Sequence, residues 1–364
     1  MVLAFHHVTL GQRVLFGTGQ AAANLAAEIE RLGARSIMVI AAASEQAVAE
    51  QVCTRITPAV LYDEVVQHVP VENAERARAV AAEHGADLLV CIGGGSTTGL
   101  AKAVALTGGM PIVAVPTTYA GSEATNVWGL TEDARKTTGI DDRVLPVSVV
   151  YDAELTLSLP AELSVSSGLN ALAHCVDGLW APKADPINAA LAVEGIRVLV
   201  ASLPVVHREP RNIDAREQCA YGAYLSAVAF ASSGSGLHHK ICHVLGGAFN
   251  LPHAQTHATV LPYVLAFNAD AAPEAAGRIA SAFGAAGTTP QNAVSALNGL
   301  RAVLQAPRAL RDYGFTEGQI REAVGLILPA VPESNPRRVT EANLSQLLHD
   351  AWSGAEPVRR GDGS

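Results

Sequence analysis

The sequence predicts two domains, an α/β domain over residues 1–155 and an all-α domain over residues 156–364. The length of 364 residues suits two domains, each large enough to bury its own core. Short β-rich runs alternate with amphipathic helical segments in the first 150 residues, as in a mostly parallel sheet covered on both faces. After Asp152 the periodicity is helical as far as Trp352, so the boundary is expected within residues 153–160.

Composition excludes several classes of protein. Hydrophobic residues make up 49% of the chain and charged residues only 16%, which is typical of a globular protein and not of disorder. A net charge of -9 argues against a nucleic-acid partner, because phosphate binding needs a basic face. No apolar run reaches the roughly 18 residues of a membrane span. The first residues do not resemble a secretion signal.

The cysteines point to a reducing compartment. Their number is odd and their spacing shows no close pairs, so neither a disulfide framework nor a cysteine metal site is indicated. We therefore expect a cytoplasmic protein. The five residues are Cys53, Cys91, Cys175, Cys219 and Cys242.

Hydrophobic periodicity predicts the elements of the α/β domain. Apolar, β-rich runs predict strands at residues 36–41, 59–62, 87–92 and 111–115. Apolar residues spaced by three and four predict helices at residues 21–33, 44–56 and 71–85. An antiparallel pair, residues 8–10 with residues 14–16, is expected at the edge of the sheet.

A glycine-rich loop directly follows the strand expected at residues 87–92. Glycines there let the backbone approach an anion, and the free N–H groups of the following helix point at it. We expect a diphosphate site, although the spacing is neither that of the usual dinucleotide fingerprint nor that of a P-loop. A plain strand-to-helix turn is the alternative. The candidate residues are Gly93, Gly94, Gly95, Ser96 and Thr97.

A second polar loop, PTTYAGSE, follows the strand expected at residues 111–115. In a doubly wound sheet both loops emerge at the carboxyl edge, so one nucleotide could contact both. Its candidate residues are Thr117, Thr118 and Ser122. The strand at residues 36–41 ends in alanines where a ribose-binding Asp would be expected, so nothing there repels a 2′-phosphate, and NADH and NADPH both remain possible.

Five of the twelve histidines lie between His238 and His257. His239 and His243 are four residues apart on an expected helix, so both rings project from one face. His253 follows ten residues later, and Asn170 and His174 repeat the spacing of four. Imidazoles grouped in this way either bind a divalent metal or hold and protonate an anionic substrate.

The order of these motifs resembles the iron-containing, group III alcohol dehydrogenases. GGGS after a strand, PTTYAGSE, GLNALAH and HHKICHVLGGAFNLPH together span nearly the whole chain. The resemblance implies a dehydroquinate synthase-like architecture, with a dinucleotide-binding α/β domain and an all-α domain, and a homodimer. Within the family, KTTGIDDRVLPVSVVYD and PHAQTHATVLPY most resemble the branch that reduces maleylacetate to 3-oxoadipate with NADH or NADPH.

The resemblance also assigns roles to residues. The family's metal carboxylate falls on Asn170, its three histidine ligands fall on His174, His239 and His253, and His243 matches the histidine that contacts cofactor and substrate. An asparagine offers a neutral carbonyl, so a dication loses its only charged ligand. Because the maleylacetate-reducing branch keeps this asparagine, we expect no metal requirement and a small dicarboxylate substrate.

For this chemistry we expect histidines to replace the metal. Hydride addition to the carbon–carbon double bond places negative charge on the ketone oxygen, and N–H donors can stabilise that enolate. His243 and His253 are the expected donors or proton source, while His174, His239 and Lys240 hold carboxylates. Loss of the carboxylate is also expected to leave the histidines more readily protonated, which would attract a dicarboxylate.

Other interpretations remain open from the sequence. The main alternative is a metal-dependent alcohol dehydrogenase or aldehyde reductase, with Asn170 as a weak ligand. A cyclase of the dehydroquinate synthase type would need basic phosphate-binding residues that are not found, and a non-enzymatic nucleotide-binding or metal-storage protein is a third possibility. His238 and His257 border the cluster without matching a ligand position, and Cys242 is either a core residue or a thiol nucleophile.

Overall fold

The computed structural model describes residues 4–132 and 135–358 and divides into two compact units. One unit is Leu10–Pro160, and the other joins Ala161–Ser364 to Met1–Thr9. The first unit is α/β and the second is helical, which confirms the predicted fold class.

The α/β unit contains a six-stranded, wholly parallel sheet and a separate antiparallel hairpin. The sheet order is β1-β8-β5-β4-β2-β3, and β6 pairs with β7. The strands are β1 (Arg13–Phe16), β2 (Ile37–Ile40), β3 (Val60–Tyr62), β4 (Leu88–Gly93), β5 (Ile112–Pro116), β6 (Val127–Glu132), β7 (Arg135–Ile140) and β8 (Ser148–Tyr151).

Helices cover both faces of the sheet, so its central strands are apolar on both sides. Met38 and Ile40 of β2 pack on one face, with residues of the third and fourth helices. Val39 of the same strand points to the other face, against Leu25 of the first helix. The helices are α1 (Ala21–Leu32), α2 (Gln46–Val52), α3 (Val71–Glu83) and α4 (Gly95–Gly108).

The four predicted parallel strands are confirmed, but the predicted antiparallel edge pair is wrong. Strand β1 pairs in parallel with β8, with Arg13 opposite Ser148 and Phe16 opposite Tyr151. Residues 8–10 form no strand. The carbonyl of Val8 instead accepts a hydrogen bond from the Ser232 hydroxyl in the helical unit, at 3.0 Å. Because β1 and β8 lie far apart in sequence, local periodicity carried no sign of their pairing.

The helical unit contains nine α-helices within the described residues. They are α5 (Ala161–Gly178), α6 (Pro186–Arg208), α7 (Ile213–Ser233), α8 (Leu237–Phe249), α9 (His253–Asn268), α10 (Pro273–Ala282), α11 (Pro290–Val303), α12 (Ile320–Ile327) and α13 (Glu341–Ser353). In the described part of the chain α6 alone is long and apolar enough to cross a membrane, and half of its most apolar window is buried inside the unit.

Glycines let α5, α6 and α7 approach one another closely. A Cβ added to Gly222 would lie 2.8 Å from Cγ of Leu199, and one added to Gly195 would lie 2.8 Å from Sγ of Cys175. Both distances are shorter than any ordinary carbon contact, so larger residues would force the helices apart. This packing fixes the position of α5, which carries part of the site described below.

A buried carboxylate ties α1 to the edge of the sheet. Glu28 is 2% exposed and accepts hydrogen bonds from Arg13, Arg31 and the Ser148 hydroxyl. Burial raises the pKa of Glu28, but these three donors outweigh burial and lower the pKa from 4.5 to about 2. The ionised carboxylate therefore stabilises the folded chain.

Replacing Glu28 with Gln should lower the free energy of unfolding by about 2 to 3 kcal/mol at neutral pH. A depressed carboxyl pKa contributes stability that is fully present above the unfolded value of 4.5 and is lost as the pH falls toward 2. The difference between wild type and Glu28→Gln, measured by urea unfolding, should therefore shrink as the pH falls from about 5 toward about 2.

The matched control is Glu64→Gln, because Glu64 also pairs with an arginine but is 57% exposed. Its effect should stay below about 1 kcal/mol. A Glu28→Gln difference that is equally large at both ends of the pH range would contradict the assignment of this stability to the ionised carboxylate.

Candidate functional site

The glycine-rich loop forms an open helix N-terminus, as predicted. Strand β4 ends at Gly93 and α4 begins at Gly95, so the helix starts before the run GLAKAVAL in which it was expected. Gly93 has φ of +148°, and a Cβ there would lie 2.6 Å from the Thr97 hydroxyl oxygen, so only glycine fits. The N–H groups of Gly95 and Ser96 are in the first turn, where an anion is stabilised.

The second polar loop packs against this N-terminus, which confirms that the two loops lie together. A Cβ added to Gly94 would lie 3.0 Å from Cγ2 of Thr118, and one added to Gly95 would lie 3.5 Å from Cβ of Ala120. The Thr117 N–H donates to the Gly93 carbonyl at 3.2 Å. The backbone and side chains of both loops can therefore contact one ligand.

Sequence reasoning missed an acidic residue next to these loops. Glu45 lies in the short 3₁₀ turn after β2, and its carboxylate accepts a hydrogen bond from the Thr117 hydroxyl at 3.1 Å. Burial raises the pKa of Glu45, while that hydrogen bond acts in the opposite direction. Glu45 is therefore an acidic residue near β2 that the sequence analysis did not consider. The only sequence signal was a lone glutamate five residues beyond the strand.

The histidines of the cluster come from three helices of the helical unit. Asn170 and His174 lie on α5, and His253 begins α9. Helix α8 contributes His238, His239, Lys240 and His243, and α9 also contributes His257.

The cluster has a buried layer and a half-buried layer. His174, His238, His239 and His257 are at most 6% exposed, whereas Lys240, His243 and His253 are half-buried. The His174 and His239 rings are stacked with centroids 4.9 Å apart, and the His253 and His257 centroids are 4.3 Å apart. The half-buried side chains are the ones that a substrate in solution can reach.

Asp177 orients His239. Its carboxylate accepts the Nδ1–H of His239 at 2.8 Å and the backbone N–H of Gly236 at 2.8 Å, so it also caps the start of α8. With the proton on Nδ1, the buried Nε2 atom of His239 carries a lone pair, and it has no hydrogen-bond partner among the described residues. Asp177 follows His174 by three residues on α5, a spacing that could have identified it.

His238 and His257 belong to the cluster, which the sequence left open. Nε2 of His238 and Nδ1 of His257 are 2.9 Å apart, and Sγ of Cys242 lies 3.7 Å from the same His238 atom. Burial raises the pKa of the Cys242 thiol well above its usual value. The side chain also packs in a core with Leu237 and Ile241. Cys242 is therefore a protonated core residue and not a nucleophile.

The predicted protonation of the histidines is wrong for the buried layer. Burial lowers the pKa of His174 to about 4 and that of His238 to about 3. Burial also holds the pKa values of His239 and His257 well below 6.5, and the neighbouring imidazoles add to the effect. These four rings are neutral near pH 7, because desolvation outweighs the loss of one carboxylate. His239 therefore cannot donate from Nε2 to a substrate carboxylate, contrary to the prediction.

The residues at the family's ligand positions fit a divalent cation in part. A carboxylate behind an imidazole, as Asp177 stands behind His239, is the usual support for a metal-ligating histidine. Asn170 contributes a neutral amide that is only 1% exposed. The donor set therefore offers imidazole nitrogens and an amide oxygen but no first-coordination carboxylate, which favours weaker metal binding.

Asp177→Asn tests whether His239 depends on this carboxylate. An amide in place of the carboxylate can offer a donor to Nδ1 and favour the wrong tautomer, so turnover should fall about 10- to 100-fold. Steady-state kinetics at a temperature well below the melting temperature measures the effect.

Asp185→Asn is the matched control. Asp185 is also a buried cap of a helix in this unit, accepting from Ile187 and Asn188, but it contacts no residue of the cluster. Its kinetics should match wild type. Equal losses of turnover in the two variants would show that Asp177 acts only through the fold.

The sequence profiles of one family match both units. The profile described as iron-containing alcohol dehydrogenase matches residues 11–153, and that described as the C-terminal part of the Fe-containing alcohol dehydrogenase family matches residues 164–352. These matches cover most of the chain and include both loops and the whole histidine cluster.

Similar proteins cover the full length of the chain. Maleylacetate reductase of Sphingobium indicum is 44% identical over 98% of this chain and 99% of its own. Maleylacetate reductase 2 of Cupriavidus pinatubonensis is 45% identical over 95% of this chain and 96% of its own.

Solved structures also match nearly the whole chain. An iron-containing alcohol dehydrogenase from Corynebacterium glutamicum is 61% identical, with a TM-score of 0.94 over 98% of this chain and 99% of that one. Maleylacetate reductase from Agrobacterium tumefaciens is 39% identical, with a TM-score of 0.90 over 98% of this chain and all of that one.

Proposed function

The chain belongs to the iron-containing alcohol dehydrogenase family, and from this we propose that it is an oxidoreductase that reduces maleylacetate to 3-oxoadipate with NADH or NADPH. The observation that carries the proposal is the histidine cluster with an amide, Asn170, in the place of the family's metal carboxylate. Full-length similarity to maleylacetate reductases at 44% and 45% identity supports it.

The reaction needs a group that stabilises negative charge on the ketone oxygen. Hydride from the nicotinamide adds to the alkene carbon β to the ketone, and the electron pair of the double bond moves through the conjugated system to give an enolate. The α carbon then accepts a proton. A well-placed N–H donor to the enolate oxygen contributes about 3 to 4 kcal/mol to transition-state stabilisation.

The half-buried layer supplies these groups. We assign His243 and His253 as the donors to the enolate or the proton source, because both are accessible while the rings behind them are not. Lys240, half-buried beside His239, is the cation for a substrate carboxylate. His174, which is 6% exposed, and His239, whose Nδ1–H is bound by Asp177, support these residues from behind.

We propose that this reduction does not depend on a metal, since the donor set lacks a charged first ligand. A metal-dependent alcohol dehydrogenase or aldehyde reductase is the second candidate, and the pairing of Asp177 with His239 favours it. In that case His174, His239, His253 and Asn170 would hold the cation, which would supply Lewis-acid polarisation of a carbonyl oxygen.

The test follows NADH loss with freshly prepared maleylacetate, on protein dialysed against chelator and analysed for metal. We expect turnover without metal, and a loss of about 100-fold or more in kcat for His243→Ala and His253→Ala. His349→Ala, whose side chain is 46% exposed, should match wild type.

Each alternative outcome has a definite meaning. Turnover of maleylacetate restored only by iron or zinc would overturn the proposed independence from metal. The second candidate predicts instead metal-dependent turnover of an alcohol or aldehyde and no reduction of maleylacetate. Turnover of His243→Ala or His253→Ala within a few-fold of wild type would overturn their assignment, and no reduction of maleylacetate in either metal condition would overturn the proposed substrate.

Glu45 should favour NADH over NADPH. A carboxylate beside the cofactor loops repels a 2′-phosphate and can accept hydrogen bonds from ribose hydroxyls. Glu45→Gln should therefore raise the ratio of kcat/KM for NADPH to that for NADH by about tenfold. Glu83→Gln, an exposed residue at the end of α3 that precedes β4, is the control and should leave the ratio unchanged.

We also propose that the enzyme acts in the cytoplasm, as a homodimer, on a freely diffusing dicarboxylate. All five cysteines are free, as expected in a reducing compartment. The net charge of -9 does not favour a nucleic-acid partner.

A further inference from the structure

A fully buried lysine on α4 binds the end of the second polar loop and the residues that follow it. Lys102 lies on α4 and is 0% exposed. Its ammonium donates to the carbonyls of Ser122 and Val127, at 2.7 and 2.9 Å, and to the carbonyl and hydroxyl oxygens of Thr125, at 2.7 and 3.0 Å. These acceptors form one short segment, residues 122–127, which directly continues the second polar loop.

The arrangement is unusual for a lysine, because a buried ammonium carries a large desolvation cost unless acceptors surround it. Burial lowers the pKa of Lys102 to about 7, while the neighbouring Glu123 carboxylate acts in the opposite direction. Three carbonyl dipoles and a hydroxyl replace the lost water. Such a centre holds its acceptors in one geometry, because moving the segment away leaves buried N–H donors without partners.

The segment is also fixed from its other side. The Glu123 carboxylate accepts a hydrogen bond from the Tyr151 hydroxyl at 2.7 Å, and Gln12 donates to the Glu123 carbonyl at 2.8 Å. Gly121, with φ of +80°, makes the turn that leads into it. Residues 122–127 are therefore a rigid base for the loop that carries Thr117 and Thr118.

Helix α4 connects this base to the anion site. Its first turn presents the N–H groups of Gly95 and Ser96, and Lys102 lies seven residues after Gly95, about 10 Å along the same helix. Helix α4 thus carries the N–H groups of the anion site and, through Lys102, also binds the segment that supports the polar loop. The hydrogen bonds of Lys102 set the distance between the helix N-terminus and the polar loop.

We propose that Lys102 is a positioning residue for the cofactor, which holds the polar loop against the N-terminus of α4 so that both contact the same dinucleotide. The proposal rests on the proposed function, because it requires these loops to bind NADH. If Lys102 served only the fold, replacing it would lower the stability of the protein and leave its affinity for the cofactor unchanged. Stability and cofactor affinity therefore distinguish the two roles.

The test compares two variants of the full-length enzyme. Lys102→Met keeps the volume and removes every hydrogen bond of the ammonium, and Thr125→Val removes one acceptor while keeping the shape. The NADH dissociation constant is measured by fluorescence, and KM for NADH and kcat are measured at a temperature well below each melting temperature.

We expect Lys102→Met to raise the NADH dissociation constant and KM about tenfold, with a smaller change in kcat. Thr125→Val should raise both constants about threefold and keeps the test valid if Lys102→Met does not fold. Glu28→Gln is the matched control, since it also loses a buried charged network of this unit but none of its partners lies in either loop.

The Glu28→Gln control should change NADH affinity less than about twofold despite its lower stability. NADH affinity within twofold of wild type in a folded Lys102→Met, or in Thr125→Val if the former does not fold, overturns the role of Lys102. The proposed function still stands in that case. Absence of both NADH and NADPH binding by wild type overturns both.

Discussion

The hydrogen bonds of Asp177 determine the geometry of the histidine cluster. One buried carboxylate on α5 caps the first turn of α8 and binds the Nδ1–H of His239 on the same helix. The helix start and the ring orientation are therefore set together. Gly236 is required at the cap, because a Cβ there would collide with the Asp177 carboxylate. Four rings lie against His239, so an error at Asp177 would be transmitted to most of the cluster. They are those of His174, His238, His243 and His257.

Burial divides the cluster by chemical role. The rings at the back lose their hydration and stay neutral, so they act as fixed hydrogen-bonding groups and as packing surface for the front. The front residues keep contact with solvent. Because the rings at the back are neutral, we propose that a dianion is recognised by Lys240 and by directional N–H donors and not by accumulated positive charge.

The sequence predicted the elements that local patterns encode. Glycines after a strand predicted the anion site, and histidines at helical spacing predicted the cluster, because both signals lie within a few residues of one another. The sequence alone indicated no role for Lys102, Asp177 or Glu45. Their partners lie in other elements, and a single charged residue within an apolar run forms no pattern that indicates its role. The charge state of His174 was predicted wrongly because depth of burial is a tertiary property.

The parallel pairing of β1 with β8 determines the order in which the chain can fold. Strand β1 (Arg13–Phe16) is synthesised early, but it can pair only after Ser148–Tyr151 have been synthesised. The residues before β1 form their contacts later still, because His7 and Val8 are hydrogen-bonded to Asp185 and Ser232, respectively. Local helices can form at once, whereas this edge strand stays exposed until more than 130 residues have followed it. During synthesis β1 is thus the segment that most needs protection from pairing with another chain.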